Sequence, residues 1–577
     1  MRNIETMSFL LVIETQKVKS YLFASPIMRE TRGASLLLDL LNRKEIRKIL
    51  GKPDERNYKV IYLGGGTGKI LFRVENEAEI FKKKILALYR QKTINARVSV
   101  EIVQRDKDEN FTEWMRSGVG KSQQNKLGQV EGISLIGGRW IRPCTSCGCE
   151  PAEKMFSEHG EHRLCRACLL KRNEINNLYA DIKPTKKGYR VLKHSSDLAD
   201  RYTNDFIFTT LAKKNEDENF RVLLSQDFND IGKSSNPLNY MGFIYADGNR
   251  MGEVVKALGE MFPEDKDAQL AYKAFSEIVD RATREAAVEA VMEIVTMEKI
   301  ETEEGIARFI PAEFVMAGGD DLMLVVPAHN ALDVAVLFME KFQEKTQKIQ
   351  SEYVEQWKLP RAFAGCGLTT SAGVVIAHAH YPISGLIIMA EDLMKLAKKR
   401  SAELAFKLKL GDVEGQETGT LDFMVLSEAG SEPVKERREN EYTAESHYDK
   451  KITLTERPYT TAEARRLLTT IRSLKESKLP RSKLKALYSV LFQSSMQAQF
   501  DALRIKERLK ITGDLKEGSI MHRVVTSLSC FPFREKSDSE WTTPLTEIIE
   551  LYDFIQPKNK KANIEEIKAS EVEAIND

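Results

Sequence analysis

The segment Phe314–Val326, FVMAGGDDLMLVV, decides the fold of this chain. Two short apolar runs flank Gly318-Gly319-Asp320-Asp321, and the second run is unbroken, as expected of a strand buried on both faces. Glycines between two strands favour a tight hairpin, because glycine adopts positive φ without steric cost. The hairpin would hold two carboxylates at the tip of a sheet, where a hard cation such as Mg²⁺ finds oxygen ligands. An acidic surface hairpin without a ligand is the alternative interpretation.

A further acidic position lies upstream, where the predicted strand Gly242–Asp247 runs into a helix. A Palm-type nucleotidyl transferase needs one Asp at the end of its first strand, more acid on the adjacent hairpin, and two divalent cations (magnesium or manganese) between them. For Asp247 the alternative is a helix N-cap. The predicted catalytic and magnesium-binding residues are Asp247, Asp320 and Asp321. The predicted nucleotide-binding neighbours are Gly248, Asn249, Gly318 and Gly319.

Downstream, Leu386–Leu410 is predicted to be a helix that carries Lys398 and Lys399. A lysine at this place can reach a nucleotide triphosphate as a point charge. The sequence does not decide between the two neighbours, so both are predicted nucleotide-binding residues.

Length and composition set broad limits. The 577 residues predict three or four domains, and 87 Lys and Arg against 85 Asp and Glu give a net charge of +2, which says little about partners. A nucleic-acid role would need local basic patches. The sequence has no apolar run of 18 residues and no secretory signal pattern, so we expect no membrane association and a cytoplasmic protein.

Five of the seven cysteines cluster between Cys144 and Cys168. Two CxxC pairs, formed by Cys144, Cys147, Cys165 and Cys168, match the spacing of a structural zinc site in a reducing compartment. Cys149 is a spare cysteine. His159 and His162 are alternative ligands, and a redox pair is the competing interpretation.

The order of predicted elements repeats. Residues 7–104 and a later unit near residues 240–430 both follow the β-α-β-β-α-β order of a ferredoxin-like fold. The first unit has Gly64-Gly65-Gly66 where the second has its acidic hairpin, so it lacks the carboxylates. Its glycines still allow backbone N–H groups to approach a phosphate or base. The alternative is that the first unit is only a packing partner.

The remaining chain is less specific. Residues 427–451 are predicted to be a linker or long loop, and helices are predicted from Thr461 onward. His378 and His380 follow a strand of the second unit; they either approach the nucleotide or are simply hydrogen-bonded. Basic residues that could face RNA or a partner are Arg465, Arg466, Lys475, Lys478, Arg481, Lys483 and Lys485.

Taken together, these motifs give the chain a family resemblance. It resembles the large subunit of type III CRISPR effector complexes, the Cas-ten family, and is most similar to its Cmr-type members. The motifs that carry the resemblance are Val18–Ser25 with Arg32–Ser35, the cysteine pairs, Ala246–Gly252, Ala317–Asp321, Thr370–Ala377, Ala397–Lys399 and Leu454–Tyr459. They span nearly the whole chain in the family's order.

The resemblance implies an α+β chain with two ferredoxin-like Palm domains of the nucleotide cyclase or polymerase type, a zinc-knuckle insertion and a helical C-terminal domain. The expected domains are a first, degenerate Palm (1–105), a linker region with the knuckle (106–238), a second, catalytic Palm (239–430), the helical domain (431–557) and a disordered tail (558–577). By position, Ser35 and the loop Gly64, Gly65 and Gly66 match the region that faces the acceptor nucleotide.

The implied function is a nucleotidyl transferase that joins ATP into oligoadenylate messengers in antiviral defence. It would act in a complex with guide RNA and other type III subunits, when target RNA pairs with the guide. Many members begin with an HD nuclease domain. Here the first Palm starts within ten residues and no His-Asp dipeptide occurs, so we predict no DNA cleavage by this subunit.

Three alternatives stay open. The same site could adenylate S-adenosylmethionine instead of extending ATP. The chain could be a scaffold subunit without chemistry, although a scaffold has no need of clustered acids. It could also be a free-standing cyclase related in fold to GGDEF diguanylate cyclases, which the cysteine pairs and the C-terminal helices disfavour.

Overall fold

The computed structural model describes most of the chain in segments. The described residues are 7–51, 57–127, 141–156, 162–178, 191–193, 221–302, 305–357, 367–410, 417–426, 433–447, 450–476, 481–491, 496–501, 503–504, 534–537 and 540–557. Residues 206–211, whose sequence has some β character, the candidate ligand His159, Cys366 and the tail 558–577 lie outside them.

The described strands are β1 (Phe9–Gln16), β2 (Tyr58–Gly64), β3 (Thr67–Phe72), β4 (Arg97–Gln104), β5 (Lys154–Phe156), β6 (His162–Leu164), β7 (Val191–Lys193), β8 (Arg221–Leu224), β9 (Tyr240–Gly248), β10 (Glu298–Thr302), β11 (Gly305–Ile310), β12 (Glu313–Gly318), β13 (Asp321–Pro327), β14 (Thr370–His378), β15 (Thr420–Val425), β16 (Thr443–His447), β17 (Lys450–Thr453), β18 (Tyr459–Thr460), β19 (Arg534–Ser537) and β20 (Glu540–Thr542).

The described α-helices are α1 (Val18–Leu22), α2 (Met28–Leu40), α3 (Ile46–Leu50), α4 (Glu75–Thr93), α5 (Phe111–Leu127), α6 (Arg166–Leu178), α7 (Phe228–Lys233), α8 (Met251–Met261), α9 (Asp265–Ile294), α10 (Ala331–Trp357), α11 (Ile383–Leu410), α12 (Val434–Glu441), α13 (Thr461–Glu476), α14 (Arg481–Leu491) and α15 (Leu545–Leu551). A π-helical turn, Leu41–Glu45, joins α2 to α3, and a 3₁₀ turn, Ala328–Asn330, precedes α10.

The first Palm unit is an antiparallel sheet in the order β2-β3-β1-β4. Side chains of a strand alternate between the two faces. Accordingly, Leu11 and Ile13 pack under α2 and α4, whereas Leu10 and Val12 face α5 and the long helix α9 of the second unit. The two units therefore share one continuous apolar core.

The second Palm unit repeats this topology. Its six-stranded sheet has the order β12-β13-β9-β14-β15-β18, whose first four strands correspond one by one to those of the first unit. Helices α9 and α10 cover one face, where Ile244 and Ala246 point, and α11 covers the face with Phe243 and Tyr245. The predicted duplication of a ferredoxin-like fold is confirmed.

Two local predictions need correction. The sequence pattern of Lys19–Leu41 predicts one helix with an irregular start, but the structure has two helices, α1 and α2, because Pro26 lies between them and has no N–H to donate. The first connection of the second unit also holds two helices, α8 and α9, and a hairpin β10–β11 that joins a separate sheet in the order β10-β11-β8-β7.

The predicted linker 427–451 is wrong where the structure describes it. Helix α12 and strands β16 and β17 form there, and a small sheet runs in the order β16-β17-β20-β19. Val434 and Ile452 are buried and supply the apolar anchors that a charge-rich sequence hides. The predicted helices follow, and α13 opens with a capping box in which Thr460 and Glu463 bond each other's backbone N–H.

An insertion between the Palm units carries the cysteine pairs. Cys144 and Cys147 lie at a turn before β5, Cys165 lies between β6 and α6, and Cys168 lies on α6. A Cβ built on Gly33 of α2 would lie 2.0 Å from the carbonyl oxygen of Lys171 on α6, so glycine permits this close approach. Within the described residues, no helix is both long and apolar enough to cross a bilayer.

Candidate active site between the two Palm units

The acidic hairpin forms as predicted. Strands β12 and β13 pair with Gly318 opposite Asp321, and Gly319 takes φ +61° in the turn between them. On its other edge β13 pairs with β9, with Leu322 opposite Ala246. The same register brings Asp321 beside Asp247, so the carboxylates of the hairpin and of the first strand meet at one end of the sheet.

The environment of these carboxylates disfavours their negative charge. Burial, and then the nearby charge of Asp247, raises the pKa of Asp320 to about 6. Burial, followed by the charges of Asp247 and Asp320, raises the pKa of Asp321 to about 7. The hydroxyl of Tyr245 donates to Asp321 Oδ1 over 3.3 Å. Burial and mutual repulsion disfavour the ionised form of both carboxylates, so a bound cation would stabilise that form.

Lys398 supplies the cation that contacts Asp247 in this structure. Its Nζ lies 2.7 Å from Asp247 Oδ2. The neighbouring Lys399 is exposed and lines a different groove, between α11 and the C-terminal region. The structure thus separates the two lysines that the sequence left equivalent.

The three aspartates fit divalent cations by chemistry rather than by a closed cage. Among the described residues, the four cysteines form the one group of three or more residues whose ligand atoms all lie within 4.8 Å of one another. The carboxylate oxygens of the three aspartates do not all lie so close together. Carboxylate oxygens are the ligands that Mg²⁺ and Mn²⁺ prefer, and Mg²⁺ usually completes its shell with water and substrate phosphate. An open acidic site of this kind fits ions that arrive with a nucleotide.

Two predicted neighbours have roles within the protein. A Cβ on Gly248 would lie 2.9 Å from the Cβ of Asp320 and 2.2 Å from Met251 Cε, so glycine makes room for the hairpin. Asn249 is buried: its backbone N–H and its side-chain amide donate to Thr369, and it accepts from the hydroxyl of Ser371. The geometry does not support the prediction that Asn249 binds nucleotide, because its polar groups hold β9 to β14.

A cavity of about 620 Å³ opens beside Asp321, between the two Palm units. The size is that of a typical ligand pocket. The first unit contributes Ser35, Gly65 and Gly66, as predicted, while Gly64 is not among the lining residues. The remaining polar lining includes Lys17, Lys19, Ser20, Asp39, Asn42, Arg43, Ser384 and Glu391.

The loop of the first unit touches the acidic hairpin through backbone alone. A Cβ built on Gly65, whose φ is +54°, would lie 3.1 Å from the backbone N of Gly319 and 3.4 Å from the carbonyl carbon of Gly318. Any side chain at this position would press on the turn that carries the carboxylates.

Sequence reasoning missed the residues that hold the turn from below. On α9, Asp280 accepts a hydrogen bond from the N–H of Gly319 at 3.1 Å, and the hydroxyl of Thr283 donates to the Gly319 carbonyl at 2.7 Å. Asp280 also pairs with Arg43 of the first unit at 3.0 Å and with Arg284. The available signal was a carboxylate within the apolar, alanine-rich face of a long helix.

The four predicted cysteine ligands come together. The Sγ atoms of Cys147 and Cys165 are 3.8 Å apart, which equals the edge of a tetrahedron with metal–sulfur bonds of about 2.3 Å. Hydrogen bonds from Cys165 and Cys168 lower the pKa of the Cys147 thiol, and the hydrogen bonds with Cys147 raise the pKa of the Cys165 and Cys168 thiols. Cys149 is exposed and outside the cluster, and the side chain of His162 is not among the described groups.

His378 lies at the wrong end of the sheet to contact a nucleotide. It pairs in register with Tyr240, whereas Asp247 pairs with Ser371. Seven residues of strand separate Tyr240 from Asp247, or about 23 Å. The rings of His378 and His380 contact each other, so the hydrogen-bonded, structural interpretation is the one that the geometry favours.

Comparisons with known proteins show what this chain is similar to. Residues 240–404 match the model of the second palm domain of Cas10/Cmr2. A curated relative, the CRISPR system Cmr subunit Cmr2 of Pyrococcus furiosus, is 25% identical over 181 residues. That alignment covers 30% of this chain and 18% of the relative, so it leaves most of the relative's length unmatched.

Among solved structures, Csm1 from T. onnurineus has a similar fold, with a TM-score of 0.50 at 14% identity over 95% of this chain and 70% of that one. A Csm1–Csm4 cassette in complex with cA3 has a TM-score of 0.48 at 13% identity, over 87% and 65% of the two chains. The second score is too low to support an argument, and at such identity the first establishes the fold alone.

Proposed function

We propose that the chain is a Cas10-type large subunit whose second Palm unit is a metal-dependent nucleotidyl transferase that joins ATP into oligoadenylate messengers. It would act in a type III CRISPR complex and be activated when target RNA pairs with guide RNA. The observation that carries the proposal is that Asp247, Asp320 and Asp321 meet at one end of the sheet, and that Asp321 also lines a cavity of about 620 Å³ between the Palm units.

The reaction assigns one nucleotide to each Palm unit. The adenylate in the cavity presents its 3′-hydroxyl to the α-phosphate of the ATP at the acidic hairpin. An O–P bond forms, the bond to pyrophosphate breaks, and the hydroxyl proton leaves to water. Divalent cations bound by the three aspartates would lower the pKa of the hydroxyl and neutralise the pyrophosphate.

The chain's own residues supply position and charge. Lys398, released from Asp247 when cations bind there, would reach the triphosphate as a point charge. Ser35 and Gly66 border the acceptor side of the cavity, where a hydroxyl and exposed backbone can contact the ribose or base. Asp280 and Thr283 fix the turn so that the carboxylates do not have to reorganise during the reaction.

We also propose that the four-cysteine cluster binds a structural zinc ion. Helix α6, which carries Cys168, is fastened to the first Palm unit by two buried contacts. Lys171 Nζ donates to the carbonyl of Tyr21 over 2.6 Å, and Arg172 pairs with Glu30 on α2. Because α2 also carries Ser35, a folded knuckle would keep that side of the cavity in place.

The test uses the guide-loaded complex with labelled ATP and Mg²⁺ or Mn²⁺, with and without target RNA and S-adenosylmethionine, and reads products by mass spectrometry. Adenylate oligomers that need target RNA and disappear in Asp320→Ala/Asp321→Ala are expected. The matched control is Asp106→Ala/Asp108→Ala, which removes two exposed aspartates far along the sequence from the hairpin.

Other outcomes would change the proposal in defined ways. A product that forms only with S-adenosylmethionine keeps the site and changes the acceptor. Product from the purified chain without guide RNA would favour a free-standing cyclase. An intact complex that makes no product under any of these conditions would leave a scaffold.

A further inference from the structure

A second groove, of about 1080 Å³, lies between helix α11, strand β17 and helix α13. It shares no lining residue with the cavity at the acidic hairpin. The two sites meet on α11, because Lys398 reaches Asp247 while Lys399 lines the groove. The proposed transferase chemistry uses no residue of this groove.

The groove is basic. Four glutamates line it, against nine lysine and arginine side chains. The basic residues are Lys399, Arg400, Lys407, Lys435, Arg438, Lys451, Arg457, Arg465 and Arg466. Such an excess in a concave surface concentrates positive potential and attracts anions.

Five of the nine cations are already balanced by acidic groups of the protein. The pairs are Arg400 with Glu463, Lys435 with Glu439, Arg438 with Asp422, Arg457 with Glu550, and Arg465 with Glu340. These contacts explain the presence of the five residues without any ligand.

The other four side chains, those of Lys399, Lys407, Lys451 and Arg466, are exposed and have no acidic or hydrogen-bonding partner in the part of the chain that the structure describes. They come from three different elements, α11, β17 and α13, so local helix composition does not account for their convergence. Their positive charge is available to a ligand.

The spacing of these charges suits a linear polyanion. Lys399 and Lys407 are eight residues apart on one face of α11, or about 12 Å along the helix axis. Lys451 and Arg466 belong to other walls of the same groove. One phosphate group cannot contact charges so far apart, whereas consecutive phosphates of a strand can.

The exposed apolar part of the lining is aliphatic. Leu396, Leu404 and Pro458 are half-buried, whereas Leu467, Tyr459 and Ile548 are each less than 10% exposed. No aromatic ring in the described lining is open for base stacking, since Tyr459 is buried. Recognition would therefore rest on phosphates and be independent of base sequence.

We infer that this groove binds the sugar–phosphate backbone of single-stranded RNA. The inference rests on the proposed function to the extent that RNA is the polyanion which a guide-loaded complex brings to the subunit. Binding would involve about four phosphate contacts, one for each unpaired cation.

The experiment measures binding of fluorescein-labelled U20 RNA to the full-length chain by anisotropy, without ATP, at 50–200 mM KCl. The test variant is Lys399→Ala/Lys407→Ala/Lys451→Ala/Arg466→Ala. The control, Lys83→Ala/Lys84→Ala/Arg90→Ala/Lys92→Ala on α4, removes the same number of lysines and arginines elsewhere. We expect at least tenfold weaker binding for the test variant and less than a twofold change for the control.

The salt dependence provides a second readout. Losing four phosphate contacts should reduce the slope of log K against log[KCl] by about 2.8, or 0.7 per contact. Equal affinity and slope for the test variant and the wild type would overturn the inference, as would stronger competition by polyglutamate than by unlabelled RNA. Because the assay contains no ATP, a failure of the transferase proposal would leave these results unaffected, and Asp320→Ala/Asp321→Ala should bind RNA like the wild type.

Discussion

The carboxylate of Asp280 accepts a hydrogen bond from the backbone N–H of Gly319 at 3.1 Å, so a helix of the second Palm unit holds the acidic turn. The same oxygen lies 3.0 Å from the guanidinium of Arg43, which belongs to the first unit and lines the cavity. One buried carboxylate thus joins the acceptor side of the site to the turn that carries Asp320 and Asp321.

The hydroxyl of Thr283 should matter for turnover more than for folding. Thr283→Val keeps the shape of this fully buried side chain but removes the bond to the Gly319 carbonyl. We expect a stability loss of about 1 kcal/mol and a roughly tenfold lower kcat, because the turn loses one of its two anchors. Thr283→Ser, which retains the hydroxyl, is the control. Equal kcat for the Val and Ser variants would contradict the positioning role.

A side chain at position 65 should impair the reaction through the backbone of the turn. Gly65→Ala puts a methyl group 3.1 Å from Gly319 N and also strains a positive φ. Gly51→Ala is the control, since Gly51 has φ +78° and no atom of the described residues within 4 Å. Both should lose about 1–3 kcal/mol of stability, measured by denaturant unfolding. Only Gly65→Ala should lose activity, by at least tenfold, and a parallel loss in both variants would argue against the contact.

Substitution of the two adjacent lysines, Lys398 and Lys399, should affect transferase activity very differently. Lys398→Ala is expected to lower kcat/KM for ATP by roughly 10- to 100-fold, because a charge that can reach the triphosphate is lost. Lys399→Ala should stay within twofold, since its side chain lines the distant groove. Steady-state kinetics with radiolabelled ATP would measure both, and the opposite ranking would show that the helix presents its other face to the nucleotide.

The acidic hairpin should destabilise the metal-free protein at neutral pH. The pKa of Asp321, raised to about 7 in the folded chain from 3.8, means that folding favours the protonated form. This contribution to stability is complete below pH 4 and is lost as pH rises through 7. Asp321→Asn should therefore increase the unfolding free energy of the metal-free protein by about 1–2 kcal/mol at pH 8 and by less at pH 5. The increase would be seen as a higher melting temperature.

Magnesium should reverse that ranking. Mg²⁺ is expected to raise the melting temperature of the wild type at pH 8 more than that of Asp321→Asn, and to lose this effect below pH 6, where protons compete for the carboxylates. Differential scanning fluorimetry from pH 5 to 8.5 would record both trends. A less stable Asn variant at pH 8 without metal would show that burial does not penalise this charge.

The effect of replacing a cysteine on zinc content and activity should depend on whether that cysteine belongs to the four-cysteine cluster. Cys165→Ser is expected to remove bound zinc, measured by elemental analysis, and to lower transferase activity by loosening α6 from α2. Cys149→Ser, at an exposed position outside the cluster, should keep zinc and activity. Retention of a full equivalent of zinc in Cys165→Ser would rule out the four-cysteine site.

The sequence predicted those features that depend on short-range pattern. The acidic hairpin, the order of helices and strands along each Palm unit and the cysteine spacing can each be recognised from short stretches of sequence. The support from Asp280 and Thr283 was missed because both lie more than 35 residues from Gly319 along the chain. The choice between Lys398 and Lys399 depends on how α11 is rotated against the sheet, which tertiary packing decides.

The prediction of a linker or long loop over residues 427–451 was wrong for a different reason. The helix and strands there are anchored by few buried side chains, among them Val434 and Ile452, and the many charges around them suggested a loop. Asn249 was assigned to the nucleotide because it follows Asp247, whereas three hydrogen bonds commit it to the neighbouring strand.

The glycine contact between residues 65 and 319 makes this chain equivalent to a dimer fused into one polypeptide, in which corresponding turns of two related halves face each other. A symmetric pair would carry two equal reactive centres. Here one turn has glycines alone and the other carries two aspartates, so the halves are not interchangeable. We expect this asymmetry to give synthesis a fixed polarity, with the growing end always presented from the same half and each new unit always loaded on the other.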